Sequence, residues 1–316
     1  MNRGGRRHLI LMTGTPLTTP ADVYGYTRFT NPHAYPSRSW FESTHVQNKD
    51  QFGNVTGWAA EDKMQDNFLL NSARVFRREI DSQLPDVIYE PIFYELEPDH
   101  MAAYNRLAEE ALLDLEGQEI TALTVQKLNT MLQQIIIGYE EFFDGEEAKM
   151  RARAEVAGFK LLDSVMDGLG GRKLIVFAYY KKAIAALQSH GAQYGAVAVY
   201  GGMSDKARNE ALDKFTGDPD CRLLIGQPLS MGSGLDNLKT VCSDILFLEL
   251  PMIAKDFTQA VGRIDRNGQK NRCHVRIGTA VDTLQMRRQK SLLDKDEQAN
   301  AVQLTHKDLR DWIHGK

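Results

Sequence analysis

Gln259-Ala-Val-Gly-Arg-Ile-Asp-Arg-Asn-Gly-Gln269 is the stretch on which the reading of this chain turns. On one continuous helix, Gln259, Arg263 and Arg266 stand at i, i+4 and i+7 and share a face. Two guanidinium groups and an amide then converge on one spot. Arginine keeps its charge in a protein, and its planar fork matches phosphate oxygens. Such a cluster suits a place where negative charge builds up on a transferring phosphoryl group. The same residues would also serve as a solvated basic face paired with Asp256 and Asp265.

Upstream of this stretch, short apolar runs alternate with amphipathic ones. Lys173-Leu-Ile-Val-Phe-Ala178, residues 196–200, Arg222-Leu-Leu-Ile-Gly226 and Ile245-Leu-Phe-Leu248 read as buried strands, and residues 274–278 add a fifth downstream. Residues 181–190 and 205–215 read as helices between them. Strand–helix alternation of this kind predicts βαβ units and a parallel sheet covered on both faces. Gly170-Gly171 marks the start of this pattern. Before it, residues 98–112, 125–143 and 146–169 have helical spacing. Residues 87–96 have strand-like composition after the break at Leu84-Pro85. Nearer the N-terminus, residues 8–12 read as a buried strand ending in a turn, 22–29 and 61–70 as helices, and 31–57 as irregular. The tail over 283–314 reads as polar and helical.

Bulk properties narrow the function. The 316 residues and 42% hydrophobic content suit two globular units. A formal charge of −4 and pI near 6.1 exclude a chain coated with basic charge. Nucleic-acid contact must then come from local patches such as Arg3-Arg6-Arg7, Arg74-Arg77-Arg78 or Arg287-Arg288-Lys290. Cys221, Cys242 and Cys273 are far apart and odd in number, which points to reduced thiols rather than a disulfide frame or zinc site. No apolar run is long enough for a membrane span and no signal peptide is evident. The expected location is the cytoplasm, the nucleus in a eukaryote, or the host cytoplasm for a viral protein.

The pattern Q-x-x-G-R-x-x-R followed by N-G-Q resembles motif VI of superfamily 2 helicases, and Gly268-Gln269 is most similar to the Swi/Snf-like branch of DNA translocases. Other segments resemble that branch in the expected order. Leu11-Met-Thr13-Gly14-Thr15-Pro16 resembles motif III, and Leu174 to Tyr180 motif IV. Tyr200-Gly201-Gly202-Met203-Ser204 resembles the strand and glycine turn that follow. Ser230-Met-Gly232-Ser-Gly234-Leu-Asp236-Asn-Leu238 resembles motif V, with its glycine spacing shifted from the common form. Glu249-Leu250-Pro251 occupies the place of the family's acidic residue and Trp-Asn-Pro turn. The long helical stretch between motifs III and IV is also similar to that branch.

The resemblance implies an α/β fold: a RecA-like parallel sheet flanked by helices (helicase lobe 2), preceded by the tail of lobe 1 and a helical insertion. The expected division is 1–95 for the remnant of lobe 1 with the interlobe linker, 96–170 for the insertion, 171–284 for lobe 2 and 285–316 for a helical tail. It implies catalytic roles for Arg263, Arg266 and Gln259, nucleotide contacts at Gly234 and Asp236, DNA contacts at Ser230, Gly232, Gly201 and Gly202, and coupling roles for Thr13, Gly14 and Thr15. It also implies ATP and Mg2+ as cofactors, duplex DNA as partner and no membrane.

A phosphate-cradling loop of the form G-x-x-x-x-G-K-[ST] and a magnesium-binding acidic pair do not occur in the chain. The expectation is therefore a second partner: an N-terminal helicase half with that loop, in the same longer chain or separate, without which this chain does not hydrolyse ATP. The competing expectations are a non-catalytic nucleic-acid-binding module with a RecA-like lobe, and the motor subunit of a restriction or RNA-directed system.

Overall fold

The computed structural model describes residues 10–12, 19–49, 53, 55–73, 84–114, 122–137, 156–228, 230, 237–251 and 254–293. The chain divides into two compact units, Met1–Ile80 and Asp81–Lys316.

The first unit holds α1 (Asp22–Thr30), α2 (Arg38–His45), the antiparallel pair β1 (Val46–Lys49) and β2 (Val55–Trp58), and α3 (Glu61–Leu69). Residues 31–57 are thus more regular than composition suggests. The Ser37 hydroxyl caps α2 by accepting from the Trp40 amide. Phe41 and His45, four residues apart on α2, then turn inward with Val23, Tyr35 and Met64. Asn67 donates to the Tyr35 hydroxyl, which pairs with His45 Nε2 at 2.8 Å, and His45 Nδ1 meets the Ala59 carbonyl at 3.0 Å. The expected strand at 8–12 is not formed over its described part: Ile10 and Met12 are exposed and outside any strand. No neighbouring strand among the described residues takes up its backbone groups.

The second unit opens with β3 (Val87–Tyr94), followed by α4 (Pro98–Asp114), α5 (Ala122–Ile136) and α6 (Ala157–Gly168). Then come β4 (Leu174–Phe177), α7 (Lys181–His190), β5 (Val197–Val199), α8 (Asp205–Gly217), β6 (Leu223–Gly226), α9 (Leu238–Val241), β7 (Asp244–Phe247), α10 (Ala254–Val261), β8 (Cys273–Ala280) and α11 (Leu284–Leu293). The six strands form one sheet in the order β3-β8-β7-β4-β6-β5, with every pair parallel.

Alternation along β4 explains the layers. Ile175 and Phe177 face a core completed by Leu212 and Phe215 of α8 and by Phe257, Ala260 and Val261 of α10. Leu174, Val176 and Ala178 face the opposite core, built with α6 and α7. Both faces are covered at β4, β5 and β6, which are apolar throughout, whereas the edge strand β3 is largely exposed.

Two expectations about organisation change. The units divide at Ile80, ahead of the boundary at residue 95 implied by the resemblance. The cause is β3, which pairs with β8 along its whole length, from Val87 opposite Cys273 to Tyr94 opposite Ala280. The helices before residue 170 are also less of an insertion than expected. Phe159, Leu162 and Met166 of α6 form part of the sheet's own core. Helices α4 and α5 pack together against Ala280 and Leu284.

Candidate functional site

The C-terminal ends of β4, β6 and β5 lie side by side, because these strands are neighbours in the sheet. In open parallel sheets, ligand crevices form at this edge. The β5–α8 connection begins with a tight turn in which the Met203 amide donates to the Tyr200 carbonyl at 3.4 Å. Gly202 takes φ +92°, a conformation that side-chain-bearing residues rarely adopt. At Gly201 the reason is space: a Cβ there would stand 3.3 Å from Gln227 Oε1 and 3.4 Å from the Ser230 hydroxyl. Ser204 then caps α8 by accepting from the Ala207 amide.

Gln227, just past β6, ties this edge together. Its Oε1 accepts from the Gly201 amide at 2.8 Å and from the Ser230 hydroxyl at 2.9 Å. Its Nε2 donates to the Tyr179 carbonyl, at the end of β4. Gly201, Gly202 and Ser230, three candidates singled out in sequence, are therefore gathered at one place. The residue that gathers them was missed, since a lone glutamine before Pro228 carries no pattern. Lys181 Nζ lies near Gly202 and 5.8 Å from the centroid of the Tyr200 ring. Lysines at the first two positions of α7 oppose the helix dipole, so local helix energetics do not account for them.

Glu249 is the other residue of note. It follows β7 and is 1% exposed. One carboxyl oxygen, Oε2, accepts from the amides of Tyr179 and, at 3.1 Å, Tyr180. Burial pushes the acid up to about 8 against the pull of these two amides, so it is mostly protonated at neutral pH. Burial also raises the Tyr179 phenol, with the carboxylates of Asp256 and Glu249 adding to the effect. Asp256 belongs to the first turn of α10.

The arginine stretch differs from expectation. Helix α10 ends at Val261, and residues 262–268 form turns, so Gln259, Arg263 and Arg266 do not share one helix face. The Gly262 amide still bonds to Thr258, but the amides of Arg263 and Ile264 reach back only three residues. Gln269 is the physical reason. It is buried, and its Nε2 donates to the carbonyls of Ile264 and Cys242, while its Oε1 accepts from the amides of Lys270 and Asn271. The Ile264 carbonyl thus accepts from the Gln269 side chain and from the Arg266 amide, two residues on, instead of from a continuing helix. Gln259 and Arg263 are half-buried and Arg266 is exposed.

Of the remaining candidates, Gly232, Gly234, Asp236, Thr13, Gly14 and Thr15 lie outside the described residues, as do Arg3-Arg6-Arg7 and Arg74-Arg77-Arg78. The patch at Arg287-Arg288-Lys290 is not uniformly outward. Arg288 donates to the Leu250 carbonyl and the Asn129 side chain, and burial lowers it to about 10. All three cysteines are free and buried. Among the described residues no His, Cys, Asp and Glu group could hold a metal ion, and no helix is long and apolar enough to cross a membrane.

Comparison with known proteins agrees with this geometry. Residues 158–268 match the helicase conserved C-terminal domain. The ATP-dependent RNA helicase DBP3 of Lodderomyces elongisporus is 31% identical over 110 residues, 34% of this chain and 20% of its own length. The DNA repair and recombination protein RAD54-like of Drosophila persimilis is 26% identical over 307 residues, 84% of this chain and 38% of its own. Among solved structures, the Sulfolobus solfataricus SWI2/SNF2 ATPase core domain superposes with TM-score 0.58 at 18% identity, covering 93% of this chain and 62% of that one. The same core in complex with dsDNA gives 0.58 at 20% identity, covering 95% and 65%. The chain thus spans about a fifth of the RNA helicase relative and well under half of the RAD54-like one. Its fold is the expected RecA-like α/β arrangement, and it resembles the C-terminal part of Swi/Snf-like helicases, with the helicase conserved C-terminal domain matched over residues 158–268.

Proposed function

We propose that this chain is the C-terminal part of an ATP-dependent translocase on duplex DNA. The observation that carries the reading is the meeting of Gly201 and Ser230 on Gln227, next to the turn residue Gly202, at the C-terminal edge of the sheet. The turn leaves Gly202 exposed with no side chain to bar a close approach, which suits a phosphate backbone, and phosphate contacts position a protein on DNA without reading sequence. Lys181 adds a cation beside the turn. Gly232 is assigned a further DNA contact, and Gly234 and Asp236 nucleotide contacts, on the resemblance of their sequence to motif V.

ATP and Mg2+ bind mainly to an N-terminal half that carries the phosphate-cradling loop. Arg263 and Arg266 stabilise charge on the transferring phosphoryl group, and Gln259 helps to orient it. Helix α10 ends at Val261, so the two arginines do not lie on one shared helical face. Thr13, Gly14 and Thr15 link hydrolysis to DNA movement. An arginine contributes to rate only where the phosphates are already held, so this chain by itself is inactive. A translocase of this kind works in the cytoplasm, or in the nucleus of a eukaryote.

The RNA helicase relatives favour a second reading, an RNA-directed motor. Their match is confined to about a third of the chain, whereas the RAD54-like match runs over 84% of it. Duplex DNA is therefore the preferred substrate here.

The test is ATP hydrolysis by this chain alone and mixed with a supplied N-terminal half, with no nucleic acid, duplex DNA or RNA. Turnover only in the mixture, stimulated by duplex DNA and lost in Arg263→Ala, is the expected result. Loss of an arginine finger lowers turnover by about 10³-fold or more. Stimulation by RNA alone would establish the second reading. DNA binding without turnover in any mixture would make the chain a non-catalytic binding module.

A further inference from the structure

Two side chains at the C-terminal edge of the sheet act on the same short segment from opposite sides. Glu249, past β7, accepts the amides of Tyr179 and Tyr180. Gln227, past β6, donates to the carbonyl of Tyr179. Strand β4, which delivers this segment, lies between β7 and β6 in the sheet. Beyond Glu249, the chain passes through Leu250 and Pro251 into α10. Beyond Gln227, Oε1 holds the Gly201 amide and the Ser230 hydroxyl. Side-chain-to-backbone hydrogen bonds therefore link the segments past β7, β4, β6 and β5, from Glu249 to the glycine turn. Leu250, next to Glu249, packs in the same core as Phe257, Ala260 and Val261 of α10.

We propose that Glu249 and Gln227 are positioning residues that couple α10 to the glycine turn through the Tyr179–Tyr180 backbone. What the two ends bind is taken from the proposed function; that they are mechanically linked is not. A carboxyl suits the first position because one oxygen can serve two amides. An amide suits the second because it accepts at one atom and donates at the other. Both side chains bond to the same Tyr179–Tyr180 backbone, so a shift of either end moves the segment that holds the other.

Coupling of this sort requires a demonstrated response at the far end. The first arm measures amide hydrogen exchange on this chain, with no nucleotide or DNA. Glu249→Ala should speed exchange at Tyr179 and Tyr180 and also, by about tenfold, at Gly201, which Glu249 does not touch. Glu249→Gln, which keeps an acceptor, should restore all three. Gln227→Leu is the reciprocal variant and should loosen Tyr179 and Tyr180 as well as Gly201. Protection at Val275 in β8 reports that the sheet is intact. Faster exchange at Tyr179 and Tyr180 with Gly201 unchanged in Glu249→Ala, or the converse in Gln227→Leu, would overturn the coupling and leave two local contacts.

The second arm uses the mixture with the N-terminal half. Glu249→Ala should lower the stimulation of hydrolysis by duplex DNA about tenfold, within the usual range of coupling free energies, and Glu249→Gln should restore it. Undiminished stimulation in both Glu249→Ala and Gln227→Leu would overturn the coupling. A wild-type mixture that duplex DNA does not stimulate would defeat the proposed function instead, and the exchange results would still decide the coupling.

Discussion

Asp244 and Glu249 stand at opposite ends of β7, both acidic and both buried, and the fold treats them in opposite ways. At the start of the strand, Asp244 Oδ1 meets Arg276 at 2.8 Å and Oδ2 meets Arg172 at 3.0 Å, with the Ser243 hydroxyl at 3.2 Å. Past its end, Glu249 has backbone amides for partners and holds a proton instead of a counter-ion. The first end is fastened by charge. The second is held by hydrogen bonds that join connecting segments to one another. The contrast separates an end of the sheet that fixes the fold from an end that carries the candidate contacts.

The largest effect should come from the fastened end. Asp244→Ala leaves Arg276 without its main partner and should cost about 3 kcal/mol or more, the range for breaking a buried ion pair. Denaturant unfolding measures it, and a cost under about 1 kcal/mol would mean that solvent already screens the pair. At the other end, Glu249→Ala strands the Tyr179 and Tyr180 amides, at about 2–3 kcal/mol for buried donors left unpaired. Glu249→Gln should recover most of that loss, since an uncharged acceptor is what the site holds near neutral pH.

Titration sharpens the contrast further. The folded value of Glu249 is about 8, against 4.5 as its ordinary value, so the folded state binds the extra proton. Its contribution is fully present below about pH 4.5 and is lost as pH rises through 8, by up to about 1.4 kcal/mol per pH unit. Unfolding free energy should therefore fall between pH 6 and pH 8, and less steeply in Glu249→Gln. Equal slopes in the two proteins would contradict a protonated Glu249. The smallest stability effect is that of Gln227→Leu, about 1 kcal/mol for a half-buried hydrogen-bonding group. Duplex DNA affinity, measured on the same protein, should drop more than that stability change suggests, because the turn it holds is the candidate contact.

Sequence carried the sheet well and the site only in part. Leu174–Phe177, Leu223–Gly226 and Asp244–Phe247 are short apolar runs because both faces of the sheet are covered, and that pattern is local. The pairing of Val87–Tyr94 with β8 is not local, so composition marked a strand there without saying which unit it joins. Gly201, Gly202 and Ser230 were legible as glycine-turn and loop residues, and their meeting is a property of strand order. Gln227 was illegible, because one glutamine among ordinary loop residues says nothing until three partners surround it. The stop at Val261 was hidden for a related reason. A helical pattern continues through Ile264, and only the burial of Gln269 under Cys242 diverts the chain.

The pairing of β3 with β8 also bears on how the chain reaches its native state. Val87 is made long before Cys273, so an apolar strand must wait, unpaired, while nearly all the rest of its unit is synthesised. Closing the sheet is then a late step with a high cost in loop entropy. A fragment begun at Glu97 would be spared that step but would leave the full edge of β8 open to other chains, and such edges nucleate aggregation.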